Sequence, residues 1–415
     1  MSIKLNINKR QRSNSEDDKI WERCLTDTYF KNQDKNKQLE ILNIEDEIYN
    51  YYNNNIPLRY KILYSKLPVP TKSLIIQKID FFESITSDNT EYSKLNKWLN
   101  GLSKIPFDNY IHIPVSYKDS NNKIQKFLIE SYKILCKTIY GQNVAKNKIM
   151  QILAQWVSNP LSTCQIIALE GPPGVGKTCL IKNGVSNALK RPFCFYALGG
   201  ATDISNLEGH SYTYEGSICG RIVEMLMESK VMNPVIFFDE LDKISDSAKG
   251  NEIVSLLTHL TDPAQNNIFH DKYFDGIDID ISKCILFFSF NDIKLINPIL
   301  KDRLTIIKFE GYNLDEKINI SRDFIIPEIL KNVGFQQKDI IFNDNIIKYM
   351  IDKYTNINNE EGVRNIKRII EDLILKINLL KLTKNKNNLL NIGYNIDNLQ
   401  FPLIITNEII DNLLK

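Results

Sequence analysis

Gly171-Pro172-Pro173-Gly174-Val175-Gly176-Lys177-Thr178 follows the apolar run Ile166-Ile167-Ala168-Leu169. A short apolar strand that enters a glycine-rich turn and then a helix is the setting of a Walker A phosphate loop. Glycines there let backbone N–H groups turn inward around phosphate oxygens. The pattern predicts that Lys177 reaches the terminal phosphates and that the Thr178 hydroxyl holds Mg²⁺, with nucleotide contacts running on to Cys179. Downstream, Val235-Ile236-Phe237-Phe238 runs into Asp239-Glu240, which reads as a buried strand ending in two carboxylates. Asp239 is placed to hold the metal and Glu240 to polarise the attacking water. ATP and Mg²⁺ are therefore the expected ligands, and nucleotide hydrolysis the expected chemistry.

Composition bounds the alternatives. A chain of 415 residues accommodates two or three domains, and a hydrophobic fraction of 43% suffices for a real core. The net charge of +2 argues against a dedicated nucleic-acid or membrane-surface protein. The seven cysteines are scattered with no CxxC pair, which fits free thiols in a reducing compartment better than disulfides or a zinc site. His112, His210, His259 and His270 form no HExxH pattern. Neither a signal peptide nor an apolar run long enough to span a bilayer is present, so the expected location is cytoplasmic. Lys9-Arg10-Gln11-Arg12 leaves a nuclear address as the alternative. Residues 1–18 are polar and mixed in charge and read as a disordered tail.

From residue 19 to 126 the pattern is helical. Ile41, Ile44, Ile48, Tyr51 and Tyr52 suit one helix face. Pro68 and Pro70 break the pattern, and a second helix is expected over 73–85. A third over 91–102 carries Leu95, Trp98, Leu99 and Leu102 on one stripe, which reads as core packing. From 127 the texture changes. Apolar β-type runs at 165–170, 193–197, 235–239, 284–290 and 304–309 alternate with helices at 177–190, 218–228 and 252–260. Continuous apolar strands between helices predict an α/β fold, a parallel sheet with helices on both faces. Phosphate sites in such sheets lie beyond the C-terminal strand ends, where both motifs fall. After 312 the chain is helical again, at 316–330, 343–354 and 363–382. A polar stretch at 383–388, a β-like run at 403–406 and a last helix-like piece follow.

Taken in order, these features resemble the ATPase module of the Lon family of AAA+ proteases. The resemblance runs from about residue 80 onward and is strongest from 140 to 367. Tyr140-Gly141-Gln142 opens it, and the 171–178 loop follows. Next come Leu198-Gly199-Gly200, Gly209-His210, Thr213-Tyr214-Glu215-Gly216 and Gly220-Arg221-Ile222. Asp239-Glu240-Leu241-Asp242-Lys243, Asp262-Pro263-Ala264-Gln265-Asn266, Asn291, Asp302-Arg303 and Glu361-Gly362-Val363-Arg364-Asn365 complete the order. The resemblance implies a large α/β ATPase domain over 127–311 and a small helical lid over 312–415, preceded by an N-terminal helical region over 19–126. It implies that Asn291 orients water against the γ-phosphate, although Ser289-Phe290 stands where the family has Thr-Ala. Tyr140 and Gly141 would lie near the adenine. Arg364 would reach the nucleotide from the lid. Arg303 would be an arginine finger for a neighbouring subunit, which implies a homo-oligomeric ring, a hexamer by resemblance. Tyr214 would sit on a pore loop that grips a polypeptide substrate, but Glu215 replaces an aliphatic residue and Ser211-Tyr212 replace basic ones. Asp242 and Lys243 are open between bridging subunits and bracing the Walker B loop.

The resemblance implies that the chain is too short for a full N-terminal substrate-binding domain. Ile404-Ile405-Thr406-Asn407-Glu408 resembles the last segment of the lid, so no Ser–Lys peptidase domain is expected. The expected function is an ATP-dependent unfoldase or remodelling ATPase without its own peptidase. The alternatives are an ATP-switched assembly module, a motor for a separate peptidase, and a DNA-associated AAA+ protein. Near-neutral charge and the lack of a basic stripe disfavour the last.

Overall fold

The computed structural model describes residue 30 and residues 32–52, 56–86, 89–159, 166–201, 203–214, 216–354, 360–383, 394, 396 and 399–414. The expected tail at 1–18, Glu215 and nearly all of the polar stretch 383–388 lie outside them. The chain divides into two compact units, 1–83 and 84–415.

In the first unit, helices α1 (Lys35–Tyr52), α2 (Leu58–Tyr64) and α3 (Val69–Ser84) follow one another. Helix α1 forms where the spacing predicts one, but Ile44 is exposed while Gln38 and Leu42 are buried, and the side chains of Ile48, Tyr51 and Tyr52 lie outside the described residues. The Gln38 amide donates to Phe30 O at 2.9 Å and Gln33 O at 3.1 Å, so a satisfied polar group occupies the inner face. Pro70 does not break a helix but sits in the first turn of α3, where a missing N–H costs no helical bond.

The second unit is built on a parallel sheet of β1 (Ile167–Glu170), β2 (Phe193–Ala197), β3 (Val235–Asp239), β6 (Ile285–Phe290) and β7 (Thr305–Lys308). Its order is β2-β3-β6-β1-β7, and a short antiparallel pair, β4 (Phe269–His270) with β5 (Asp278–Ile279), stands apart from it. All five expected strands form. β6 is buried along its whole length, because it lies between β1 and β3 with both faces covered. Phe238 and Phe288 stack with ring centroids 5.1 Å apart across that pairing.

Helices α4 (Thr90–Lys104), α5 (Asn121–Thr138) and α6 (Asn143–Ser158) precede the sheet. The α4 stripe is core as expected, with Trp98 and Leu102 fully buried. The stretch after α4 is stitched to the entrance of β3. The Asn233 side chain accepts from Ile111 N–H and donates to Ile111 O, both at 2.9 Å. Helix α7 starts at Lys177 and runs to Leu189 with a π-turn over Leu180–Val185. Helix α8 (Arg221–Ser229) begins three residues later than expected, with Gly220 as N-cap. Helix α9 (Ala248–Leu260) begins four residues earlier, because Ser247 caps it by accepting from Gly250 N–H at 3.2 Å. A short α10 (Pro298–Lys301) precedes β7.

The lid contains α11, which starts at Leu314 and ends at Val333 with a π-turn over Ser321–Ile325. It continues with α12 (Asp344–Tyr354), α13 (Arg364–Thr383) and α14 (Asn407–Leu413). The β-like run at 403–406 becomes β9 (Leu403–Ile404), paired in parallel with β8 (Ile340–Ile341). Sheet and lid share one hydrophobic core, from Leu135 through Phe237 and Phe287 to Ile370 and Leu413. No described helix is long and apolar enough to cross a membrane.

Candidate active site

The loop after β1 is tied to the end of β6, since Gly171 N–H donates to Phe290 O at 3.2 Å. Gly174 and Gly176 take φ of 81° and 93°, the left-handed conformation that lets successive N–H groups line one concavity. Lys177 is buried at the start of α7. Its Nζ donates to Gly171 O, to Phe290 O at 3.2 Å and to Asn291 Oδ1 at 2.8 Å, with Pro172 O at 3.4 Å. Burial lowers the Lys177 pKa, while Asp239 and Asp242 act the other way. The result is a partly desolvated ammonium among oxygens, where an anion is attracted more strongly than in water. Val175 is buried beneath the loop, Pro173 and Cys179 are exposed, and Thr178 is half-buried.

The two carboxylates at the end of β3 have different surroundings. Ser289 Oγ donates to Asp239 Oδ1, which orients that carboxylate from the neighbouring strand. Glu240 is exposed, and its φ of 59° is rare for a residue with a Cβ. Gly199 makes room for it, because a Cβ there would run into Glu240 Oε2. Asn291, one residue beyond β6, meets Lys177 by the bond given above. Its backbone is braced from the same turn as Glu240. Asp242 Oδ2 accepts Asn291 N–H at 3.2 Å and Asp292 N–H at 3.4 Å. Within this chain Asp242 therefore braces the strand ends, which the sequence left open.

The lid rests on the loop. Val363 N–H donates to Gly174 O at 3.2 Å, and a Cβ on Gly362 would run into Pro173 O. Glu360 caps α13, its carboxylate accepting the N–H groups of Arg364 and Asn365 at 3.0 Å. Arg364 is thus held over the loop, its Cβ 3.0 Å from where a Cβ on Gly174 would stand. Tyr140 and Gly141 lie against Tyr312, at the start of the lid. Tyr312 Oη donates to Tyr140 O at 3.3 Å and Val175 O at 3.0 Å, and Gln142 Nε2 donates to Glu310 O at 2.8 Å. Tyr312 carries no motif signal in the sequence, yet it links the 140–142 turn to the phosphate loop.

Two residues stand outside this cluster. Arg303 pairs with Asp262 Oδ2 at 2.9 Å and donates to Thr258 O at 3.1 Å, at the end of α9. The Ala264 N–H and Arg303 both hold the Asp262 carboxyl below its usual range. Tyr214 is 71% exposed on the 209–220 loop, in a turn where Ser217 Oγ donates to Tyr214 O at 2.7 Å.

The donor set fits a hard divalent cation. Thr178 and Asp239 offer a hydroxyl and a carboxylate, and Mg²⁺ takes one or two such groups together with substrate phosphates rather than an all-protein cage. Among the described residues, no group of three or more His, Cys, Asp or Glu gathers to hold a metal by itself.

A five-stranded parallel sheet whose β1 leads into a lysine-bearing loop, with a helical lid resting on that loop, is the architecture of a AAA+ module. Residues 167–312 match the family described as ATPase family associated with various cellular activities (AAA). The chain is 36% identical over 379 residues to a Lon protease homolog of Acanthamoeba polyphaga mimivirus, covering 88% of this chain and 36% of that one. It is 35% identical over 317 residues to the Lon protease of Campylobacter concisus (75% and 37% covered). It is 32% identical over 311 residues to the mitochondrial Lon protease homolog of Yarrowia lipolytica (75% and 25% covered). The chain belongs to the Lon family as a Lon-type AAA+ module, and spans roughly a quarter to two fifths of the length of the curated relatives it matches.

Proposed function

We propose that the chain hydrolyses ATP and couples each turnover to the movement of a polypeptide, as one subunit of a ring. The observation that carries this is the meeting of Lys177 with Asn291 at 2.8 Å, near Asp239, under a lid resting on the phosphate loop. The N–H groups of 174–178 and the Lys177 ammonium bind the phosphates, and Tyr140 and Gly141 flank the base. Thr178 and Asp239 hold Mg²⁺, which when bound neutralises charge on the phosphate oxygens. Glu240 takes a proton from water, and Asn291 orients that water. Arg364 supplies positive charge from the lid, and Arg303 does so for a neighbour's site. Tyr214 offers a large contact that tolerates many sequences, which suits a grip on unfolded chain. No step requires peptide-bond cleavage.

The test is ATPase turnover of the purified chain with and without unfolded casein, followed on a gel. Stimulated turnover with casein left uncut is expected. Glu240→Gln is expected to lower turnover at least about a hundredfold while ATP affinity stays within about threefold. Normal turnover in that variant overturns the assignment. Casein cut into peptides overturns the view that the chain moves polypeptide without cleaving it.

A further inference from the structure

No surface of Asp271 reaches solvent, and it belongs to no part of the nucleotide site. It follows β4 directly. Its Oδ2 accepts Gly220 N–H at 2.7 Å, and its Oδ1 accepts Tyr273 N–H at 2.9 Å and Phe274 N–H at 3.4 Å. Gly220 is the N-cap of α8 and closes the 209–220 loop that carries Tyr214. Gly209, at the other end, has φ of 80° and approaches so closely that a Cβ would stand 2.7 Å from Gly220 N and 3.0 Å from Asp271 Oδ1. The carboxylate therefore bonds one end of the loop at Gly220, and the other end, Gly209, packs closely against both.

The ground under that carboxylate is itself fixed. Lys272 N–H donates to Glu208 O at 2.7 Å, and its Nζ pairs with Glu208 Oε2 at 2.8 Å, just before the loop begins. Trp98 Nε1 donates to Tyr273 O at 2.9 Å, and the Trp98 and Phe274 ring centroids are 5.7 Å apart. The tip is touched from the same helix, since Lys94 Nζ donates to Thr213 O at 3.1 Å. A carboxylate out of water makes stronger charge-assisted bonds to N–H groups than an exposed one. An apolar residue of similar size would leave those N–H groups buried without partners.

We propose that Asp271 is a positioning residue that fixes the Tyr214 loop to the body of the unit: its buried carboxylate bonds the Gly220 end, and Gly209 at the other end packs against that bond. A rigid base lets displacement of the sheet end reach the loop tip instead of being absorbed by local opening. The consequence for polypeptide handling rests on the reading of Tyr214 given above, whereas the clamp does not.

The experiment compares the full chain with Asp271→Asn and Asp271→Ala by three readouts. These are basal ATPase, casein-stimulated ATPase, and chymotrypsin cleavage after Tyr212 or Tyr214. Cleavage is expected to quicken about tenfold or more, and stimulation to be lost, while basal kcat and KM for ATP stay within about twofold. A merely structural role would depress all activities together. Unchanged cleavage and stimulation overturn the proposal. Where the Asp271 variants lose cooperative melting, Gly209→Ala opens the same base with the carboxylate retained, and the same outcomes decide. Tyr214→Ala separates the two ideas: full casein stimulation in that variant, with fast cleavage in Asp271→Asn, sinks the grip and leaves the clamp standing.

Discussion

Burial pushes Lys177 and Asp271 toward neutrality from opposite sides, lowering the lysine and raising the carboxyl from 3.8 to about 6. Three N–H donors and the nearby Glu208 are the lesser influences on Asp271, with Cys219 and Tyr273 beside it and Lys272 neutralising Glu208. Between about pH 4 and 6 the folded protein holds a proton there that the unfolded chain has released. The stabilising contribution is therefore complete below 3.8 and is lost as pH rises through about 6. In urea unfolding from pH 4 to 7, the wild type is expected to lose stability relative to Asp271→Asn up to about pH 6, with a constant difference above. Parallel curves throughout would contradict the raised carboxyl. Lys177, Thr178, Asp239 and Glu240 were legible from the sequence because each sits at a set offset from a strand end. Asp271 was not, since Asp262, Asp275, Asp278 and Asp280 lie in the same stretch and no spacing marks one acid as the buried one.

At the scale of elements, the contact between lid and phosphate loop has the smallest tolerance. A Cβ on Gly362 would run into Pro173 O and force apart the Val363–Gly174 bond of 3.2 Å. Overpacking of that size costs about 1–3 kcal/mol. Gly362→Ala is expected to weaken ATP binding about tenfold or more, read by titration with a fluorescent nucleotide, with the melting temperature lowered by only a few degrees. Unaltered affinity would mean that the resting place of the lid does not bear on nucleotide binding. Strands were readable here because burial on both faces leaves continuous apolar runs, as in Ile285–Phe290. Helix starts were less so. Ser247 capping α9 and Pro70 inside the first turn of α3 depend on which residue takes the cap, a choice local propensity leaves open.

At the scale of the whole molecule, Arg303 is engaged within its own chain by Asp262 and Thr258, apart from the Lys177 cluster. If it completes a neighbour's site, two inactive variants should rescue each other. Mixing Arg303→Ala with Glu240→Gln is expected to restore a measurable share of turnover, because one pairing unites an intact Glu240 with an intact Arg303. No recovery on mixing, with both variants folded, would place the role of Arg303 within one subunit. The sequence by itself determined the parallel sheet, the phosphate loop and the paired acids, because each is written in a contiguous stretch whose period or spacing has one physical meaning. The tertiary structure alone decided the pairings: Lys177 with Asn291 across 114 positions, Gly220 with Asp271 across 51, Trp98 with Tyr273 across 175. Those partners meet because strand order seats β6 between β1 and β3, and because buried polar groups must find hydrogen-bond partners wherever the packed chain offers them.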